Sequence, residues 1–329
     1  MSIESTTLSH SAAIPPSSAE ALARAGAYLM AHQSPDGTWC DFRMKLGVSD
    51  AWTSGFVGCS VLALPESLRP PGAEAAVARA ATWLAEKMNH LHGWSYNDNA
   101  PIDADSCANV VLFLAQAEWD FPRHTYARLL AFQREDGGFC TFVLRDPEDT
   151  WGWSHPCVTP VVTKALIPVM PADNARMARA FDAILAAQQP DGTWPSYWWE
   201  SPLYSTAMSI ETCLLAGLDF PRDALIATLE ALRPTKAFDL ALLLHCLAML
   251  DRPIASVRDA LLDLQGDDGS WPSAPILQLP STRSDTPWND DDPWPLFDDQ
   301  NRLFTTSTAI RALVAAAAAA TEAVDSERP

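Results

Sequence analysis

Gln33-Ser-Pro-Asp-Gly-Thr-Trp39 decides the fold, because the chain says it again. The phrase returns as Gln133-Arg-Glu-Asp-Gly-Gly-Phe139, as Gln188-Gln-Pro-Asp-Gly-Thr-Trp194 and as Gln265-Gly-Asp-Asp-Gly-Ser-Trp271, with an eroded copy at His92-Gly-Trp94. Each full copy follows an amphipathic helical run, such as Ala19–His32 or Met177–Gln188. Asp-Gly supplies the left-handed residue that ends a helix. The Trp or Phe then folds back as an apolar plug, and the Gln amide can cap neighbouring backbone.

After each turn comes a second, more apolar run. These begin near Trp52, Asp105, Val158, Tyr204, Phe238 and Thr306, and their openings rhyme: Ser205-Thr-Ala-Met, Ser307-Thr-Ala-Ile, Ser106-Cys-Ala-Asn, Val158-Thr-Pro-Val. The amphipathic partners cover roughly 18–32, 73–89, 124–133, 176–188, 222–232 and 255–265. The connection around Pro234-Thr235 has lost the phrase. Repeats of this size bury their faces against one another. Amphipathic helices suit an outer ring and apolar ones an inner ring. Six such hairpins predict an all-α (α/α)6 double-ringed toroid, and no strand pattern competes with it.

The 329-residue chain carries a net charge of −19, which argues against nucleic acid and against an anionic membrane surface. It is 48% hydrophobic, yet no apolar run is long enough to span a bilayer, and Met1–Ser18 has no secretory leader pattern. The seven cysteines are scattered and form no CxxC, so they read as small core residues in a reducing, cytoplasmic setting. The organisation expected is a flexible arm over 1–17, one toroid over 18–320 and a tail over 321–329. Two stretches depart from the repeat: Arg145–Trp153, and an acidic, Trp-rich insertion at 272–303 that holds Asp285, Trp288, Asp290, Asp291, Asp292, Trp294, Asp298 and Asp299. The insertion is either a solvated acidic loop or a lid carrying aromatics over a cavity, with a divalent-metal site; Pro and Asp disfavour a regular element there.

The stretch Pro101-Ile-Asp-Ala-Asp-Ser-Cys-Ala-Asn-Val-Val111 places two carboxylates at an inner-helix start. Asp103 is a good N-cap and Asp105 a first-turn acid. The plain reading is a well-capped helix. The sharper one is an acid pair at the mouth of a cavity.

The Gln…Asp-Gly-x-Trp phrase resembles the QW motif of squalene–hopene cyclases and related class II terpene cyclases. The six-hairpin count resembles their α-toroid, shared with protein prenyltransferase β subunits. The resemblance runs from about Ala19 to Leu313. In those cyclases the proton donor lies in an Asp-x-Asp-Asp-Thr-Ala sequence. Here Asp103-Ala-Asp-Ser-Cys-Ala108 stands at that place, with Ser106 and Cys107 replacing the third Asp and the Thr. A Val-Thr-Ala-His run supplies the acid's partner in the family; here Val158 and Thr159 match, Pro160 and Val161 do not, and His155 is the nearby substitute. The resemblance thus implies Asp105 as acid, with Asp103 and His155 as its partners. The cyclases resembled use two toroidal domains, and this chain supplies one. The prenyltransferase resemblance implies instead a zinc site of Asp105, Cys107 and His155. Its usual diphosphate cluster of Lys and Arg is missing, and the chain has four lysines.

Polyene cyclisation needs a strong acid and an aromatic wall that stabilises cations. A helix N-terminus would keep Asp105 ionised; burial and a charged Asp103 would keep it protonated. Candidate wall residues are Trp52, Trp94, Tyr96, Trp151 and Trp153, followed by Trp198, Trp199, Tyr204 and Phe304. Trp39, Trp194 and Trp271 read as turn plugs, and the remaining histidines as structural. The expected function is a class II-like terpene cyclase acting on a hydrophobic isoprenoid-type molecule without a cofactor. The alternatives are a zinc-dependent prenyltransferase-like enzyme, with Mg if the substrate is a diphosphate, and a non-catalytic toroid that binds a hydrophobic ligand or a protein.

Overall fold

Each full copy of the repeated phrase ends one helix and ties it to the next. In the computed structural model, which describes residues 14–291 and 293–326, the Gln33 amide donates to Gly37 O at 2.9 Å and to Ala76 O at 2.8 Å. Gln133 bridges Gly137 and Arg176, Gln188 bridges Gly192 and Pro221, and Gln265 bridges Gly269 and Ala21. One side chain therefore holds its own turn and the start of another outer helix. The last of the four reaches back to the first helix. The indole N–H groups of Trp39, Trp94, Trp194 and Trp271 donate to carbonyls ten residues back in their own outer helices: Leu29, Leu84, Ile184 and Leu261.

The outer helices are α1 (Pro16–Ala31), α3 (Ala73–Lys87), α5 (His124–Leu130), α7 (Ala175–Ala186), α9 (Asp223–Ala231) and α11 (Ala255–Asp263). The inner ones are α2 (Ala51–Ala63), α4 (Ala104–Gln116), α6 (Val158–Leu166), α8 (Leu203–Leu215), α10 (Ala237–Met249) and α12 (Leu303–Ser326). The inner helices pack in that order, and α12 packs on α2, so the ring is closed. The toroid read from the repeat is the observed fold. No helix among the described residues is long and apolar enough to cross a membrane.

Three details differ from the sequence reading. The first helix begins at Pro16, inside the expected arm, because proline fits a first helical turn. The last helix continues through Ser326, past the expected tail boundary. Two short hairpins also form: β1 (Asp41–Met44) with β2 (Gly47–Ser49), and β3 (Pro275–Gln278) with β4 (Leu296–Asp298). The second lies in the insertion expected to be irregular. Strands this short leave no alternation to read. Residues 1–13 of the arm, with His10, as well as Asp292 and residues 327–329 of the tail, lie outside the described residues.

The first hairpin has a structural task. Buried Asp41 accepts the backbone N–H groups of Asn301, Leu303 and Phe304 at 2.9, 2.8 and 3.3 Å. A side chain from near the start of the chain thus satisfies orphan donors at the N-terminus of α12.

The turn glycines are constrained twice over. Gly192 has φ +85°, and a Cβ there would lie 2.3 Å from the Leu225 backbone nitrogen. Gly72 has φ +83° with nothing within 4 Å. Gly72→Ala should therefore cost only the left-handed strain, roughly 1–2 kcal/mol. Gly192→Ala should cost more, because the turn must also move off α9. Denaturation midpoints compare them; equal losses would remove close approach from the explanation.

Candidate active site

Hydrogen bonds from the turns fix how five of the six inner helices are rotated. The backbone N–H groups of Trp39, Phe139, Trp194 and Trp271 donate to the hydroxyls of Ser54, Thr159, Thr206 and Thr306. Trp94 N–H uses the Cys107 sulfur, at 3.3 Å. Two residues before each of these acceptors stand Trp52, Cys157, Tyr204, Phe304 and Asp105, and α10 offers Phe238. Seven residues further along each helix stand Cys59, Lys164, Glu211, Arg311, Leu112 and His245. A seven-residue step is nearly two full turns, so each pair shares a helix face. The ring therefore carries two tiers of side chains along its axis. The rhyme in the sequence pairs Thr308 with Thr206; the hydrogen bond places Thr306 there, which brings Phe304 into the upper tier.

The two aspartates divide the roles the sequence left open. Asp103 is the N-cap of α4: it accepts from Ser106 N at 2.7 Å and from Ser106 Oγ at 2.8 Å. Burial raises its pKa to about 6, and those donors oppose the rise. Asp105 has no such donor; no described residue hydrogen-bonds its carboxyl. It stays partly accessible while residues 106–111 of the same helix are buried, as a group facing the lumen would be. Burial first, and the Asp103 charge second, push its pKa well above the ordinary value. The helix N-terminus favours the ionised form, but the cap consumes that favour at Asp103. The arrangement favours the protonated form of Asp105 over the ionised one, the direction a general acid needs.

The upper tier is aromatic. Phe304 stacks on Phe56 at 3.9 Å and lies 4.9 Å from Trp52 and 5.1 Å from Trp199. Trp199 stacks on Tyr204 at 4.1 Å and on Phe238 at 5.3 Å, and Phe42 stacks on Trp52 at 5.3 Å. Tyr96 sits at the edge, 6.5 Å from Trp52, with its hydroxyl bonded to the Phe42 carbonyl. The Trp52 indole N–H is buried with no partner among the described residues. A second cluster lies beside the first, where His155 packs at a tilt on Tyr197 at 3.9 Å and meets the edge of Trp198, which in turn packs on Trp151.

Several candidates sit elsewhere. Trp94 is a turn plug, fully buried against α3 with its N–H on Leu84, and does not reach the lumen. Trp153 is 42% exposed and donates to Pro147 O on the surface. Of the insertion's tryptophans, Trp288 is exposed and Trp294 donates to Asp290, and neither has a ring contact with the central aromatic cluster among the described residues. The insertion does pack on the other departure from the repeat: the Trp151 indole N–H donates to Pro280 O, and Arg283 pairs with Asp146 and Glu148.

His155 is buried, its Nε2 has no partner among the described residues, and burial lowers its pKa to about 3 despite a hydrogen bond to the Trp151 backbone. It is a neutral ring within the second aromatic cluster. The Cys107 thiol turns away from Asp105 to the Trp94 backbone. Asp105, Cys107 and His155 therefore do not converge, and among the described residues no three His, Cys, Asp or Glu side chains form a metal-holding group.

Sequence reasoning missed Phe42, Phe56 and Phe238 in the central cluster, and the whole lower tier. The signal for the lower tier was present. Lys164, Glu211 and Arg311 are lone charges inside otherwise apolar runs.

No family model matches the chain, and none of the curated proteins does. Solved structures do. The type II terpene cyclase MstE from Scytonema superposes with a TM-score of 0.79 at 23% identity, over 92% of this chain and 99% of that one. The fold is that of a type II terpene cyclase. Variants of the same cyclase have been seen with its substrate geranylgeranyl dihydroxybenzoate and with its product merosterolic acid A. A protein from Actinoplanes matches with a TM-score of 0.78 at 26% identity, over 91% of this chain and 99% of that one. The ent-copalyl diphosphate synthase from Streptomyces platensis matches with a TM-score of 0.57 at 20% identity, over 81% of this chain and 50% of that one.

Proposed function

We propose that this chain is a class II-like terpene cyclase in which Asp105 protonates a polyene inside the aromatic upper tier. The observation that carries the reading is a carboxyl without hydrogen-bond partners among the described residues, its pKa raised by desolvation, close to Tyr204 of the aromatic tier in a closed ring. Asp105 gives its proton to a terminal double bond. Neighbouring double bonds attack the resulting cations in turn, forming carbon–carbon bonds, and a proton is finally lost. Asp103, held ionised by the Ser106 donors, keeps the proton on its neighbour until an alkene arrives. Trp52, Trp199, Tyr204 and Phe304 present π-faces to the travelling positive charge and keep water out. The likeness to a cyclase of geranylgeranyl dihydroxybenzoate points to substrates of that size, such as prenylated arenes.

Such a reaction conserves mass. Purified protein offered prenylated hydroxybenzoates should yield products isomeric with substrate, each carrying one solvent deuterium when made in D2O. No diphosphate should be released, and chelators should not slow the reaction. Failure to convert a panel of prenylated arenes and free polyenes would overturn the proposal. Chelator-sensitive transfer with release of diphosphate would instead support the zinc-dependent alternative.

A further inference from the structure

Two turns below the acid, the lumen becomes ionic. Lys164 Nζ lies 2.8 Å from Glu211 Oε2, and Arg311 Nη2 lies 3.3 and 3.1 Å from the two Glu211 oxygens. These side chains come from α6, α8 and α12. Arg311 passes in front of α10 to meet Glu211, and its guanidinium also lies 5.4 Å from the Phe56 ring centre of α2. One side chain can touch both α8 and α2 only from inside the ring.

The charge of this tier is not balanced. Glu211 is ionised: burial pushes its carboxyl up, but Lys164 and Arg311 beside it pull it below the ordinary range. Cys59 and His245 are neutral, since burial holds the thiol up to about 11 and the imidazole down to about 4. Among the leading influences on Lys164 the one carboxylate is Glu211, and none acts on Glu211. Two cations and one carboxylate leave a net charge of +1, inside a chain whose total is −19. An unpaired buried charge is costly. Donors are also left over. Lys164 has three N–H groups and spends one, while the Nε and Nη1 of Arg311 have no partner among the described residues. The side chains of Glu211 and Arg311 remain 23% and 16% exposed, so the tier is not packed shut.

We propose that Lys164 and Arg311 form an anion seat that takes the single carboxylate of an amphiphilic polyene, whose chain rises past Phe56 and Phe304 to Asp105. The orientation of the chain rests on the cyclase reading; the binding of the anion does not. The seven-residue step between tiers is about 10 Å at 1.5 Å per residue. The double bond that meets Asp105 therefore lies about that far from the head group. A monoanion neutralises the tier, whereas a diphosphate would leave it over-compensated.

The probes are geranylgeranoic acid, its methyl ester and geranylgeranyl diphosphate, titrated into the full chain by quenching of tryptophan fluorescence. The acid should bind at least about tenfold tighter than the ester, the scale of one charge-assisted hydrogen bond, and tighter than the diphosphate. Lys164→Met and Arg311→Met should each erase most of that preference, and Arg311→Lys less of it. Lys164→Met leaves Glu211 paired with Arg311 and removes the surplus charge. Its melting midpoint should hold or rise, so unfolding would not explain the loss. Equal binding of acid and ester, a preference that survives both Met variants, or tighter binding of the diphosphate would each overturn the seat while leaving Asp105 chemistry standing. A preference lost in the variants but accompanied by no isomeric product would keep the seat and sink the cyclase reading.

Discussion

Asp105→Asn should lower turnover by roughly 10²–10⁴-fold, the usual cost of losing a general acid, with polyene binding nearly unchanged. The substitution conserves volume and removes only the transferable proton. Its effect on stability separates a working acid from a helix ornament. Burial and the Asp103 charge hold the Asp105 pKa well above its ordinary value of 3.8. Below that ordinary value the carboxyl is protonated in folded and unfolded chains alike, and the folded state enjoys its full relative stability. As pH rises, the unfolded chain releases the proton first, so stability falls until pH passes the raised pKa. Asp105→Asn cannot ionise. It should melt like the wild type near about pH 3 and above it near about pH 8. Wild-type turnover should decline on the alkaline side as the acid deprotonates. A variant that turns over normally, or that melts lower near neutrality, would reduce Asp105 to a first-turn carboxylate that complements the helix dipole.

Trp194→Ala should cost about 3–5 kcal/mol, enough to threaten folding at physiological temperature. The indole is fully buried, and its N–H closes the end of α7 on Ile184 O at 2.6 Å. Truncation leaves both a cavity and an unpaired carbonyl. Trp194→Phe is the informative companion, since Phe139 already occupies the equivalent place in the second turn and is fully buried there. The Phe variant should lose only about 1 kcal/mol, the net worth of the hydrogen bond. Chemical denaturation measures both. If the two variants lose the same amount, the ring's volume contributes nothing and the plug account fails.

The fold was readable because it is written in repeated local chemistry. Asp-Gly turns, plugging Trp residues and alternating apolar runs are short-range signals, and each copy supports the others. The inner helices begin within a few residues of the expected places for the same reason. The site was readable only in part. Asp103 and Asp105 stood out because carboxylates at a helix start are locally conspicuous. Which of them keeps the proton depends on who receives the Ser106 donors, and sequence does not show that. Trp94 and Trp153 stood out as aromatics near inner-helix openings and their adjoining loops, yet the side of a helix or loop an aromatic occupies is set by the turn hydrogen bonds. Phe304 stood out by its place at an inner-helix opening, whereas Phe238 opens α10, where the connection before it has lost the phrase that marks the register elsewhere. The short strands escaped because pairing across 275–298 is not periodic.

The link from Gln265 to Ala21 and the cap of Asp41 on α12 bear on how the protein is made. Open arrays of helical hairpins can settle one repeat at a time as the chain emerges from the ribosome. Here α1 and α2 are among the earliest helices synthesised, yet both pack on α12, the last described. Until α12 appears, one flank of the nascent first hairpin is bare, and Asp41 is a buried-type carboxylate waiting for its three amides. Assembly therefore ends in a single closing event rather than by gradual accretion. The exposed apolar flank of the growing arc, rather than any loop on the finished ring, is where a chaperone would find it.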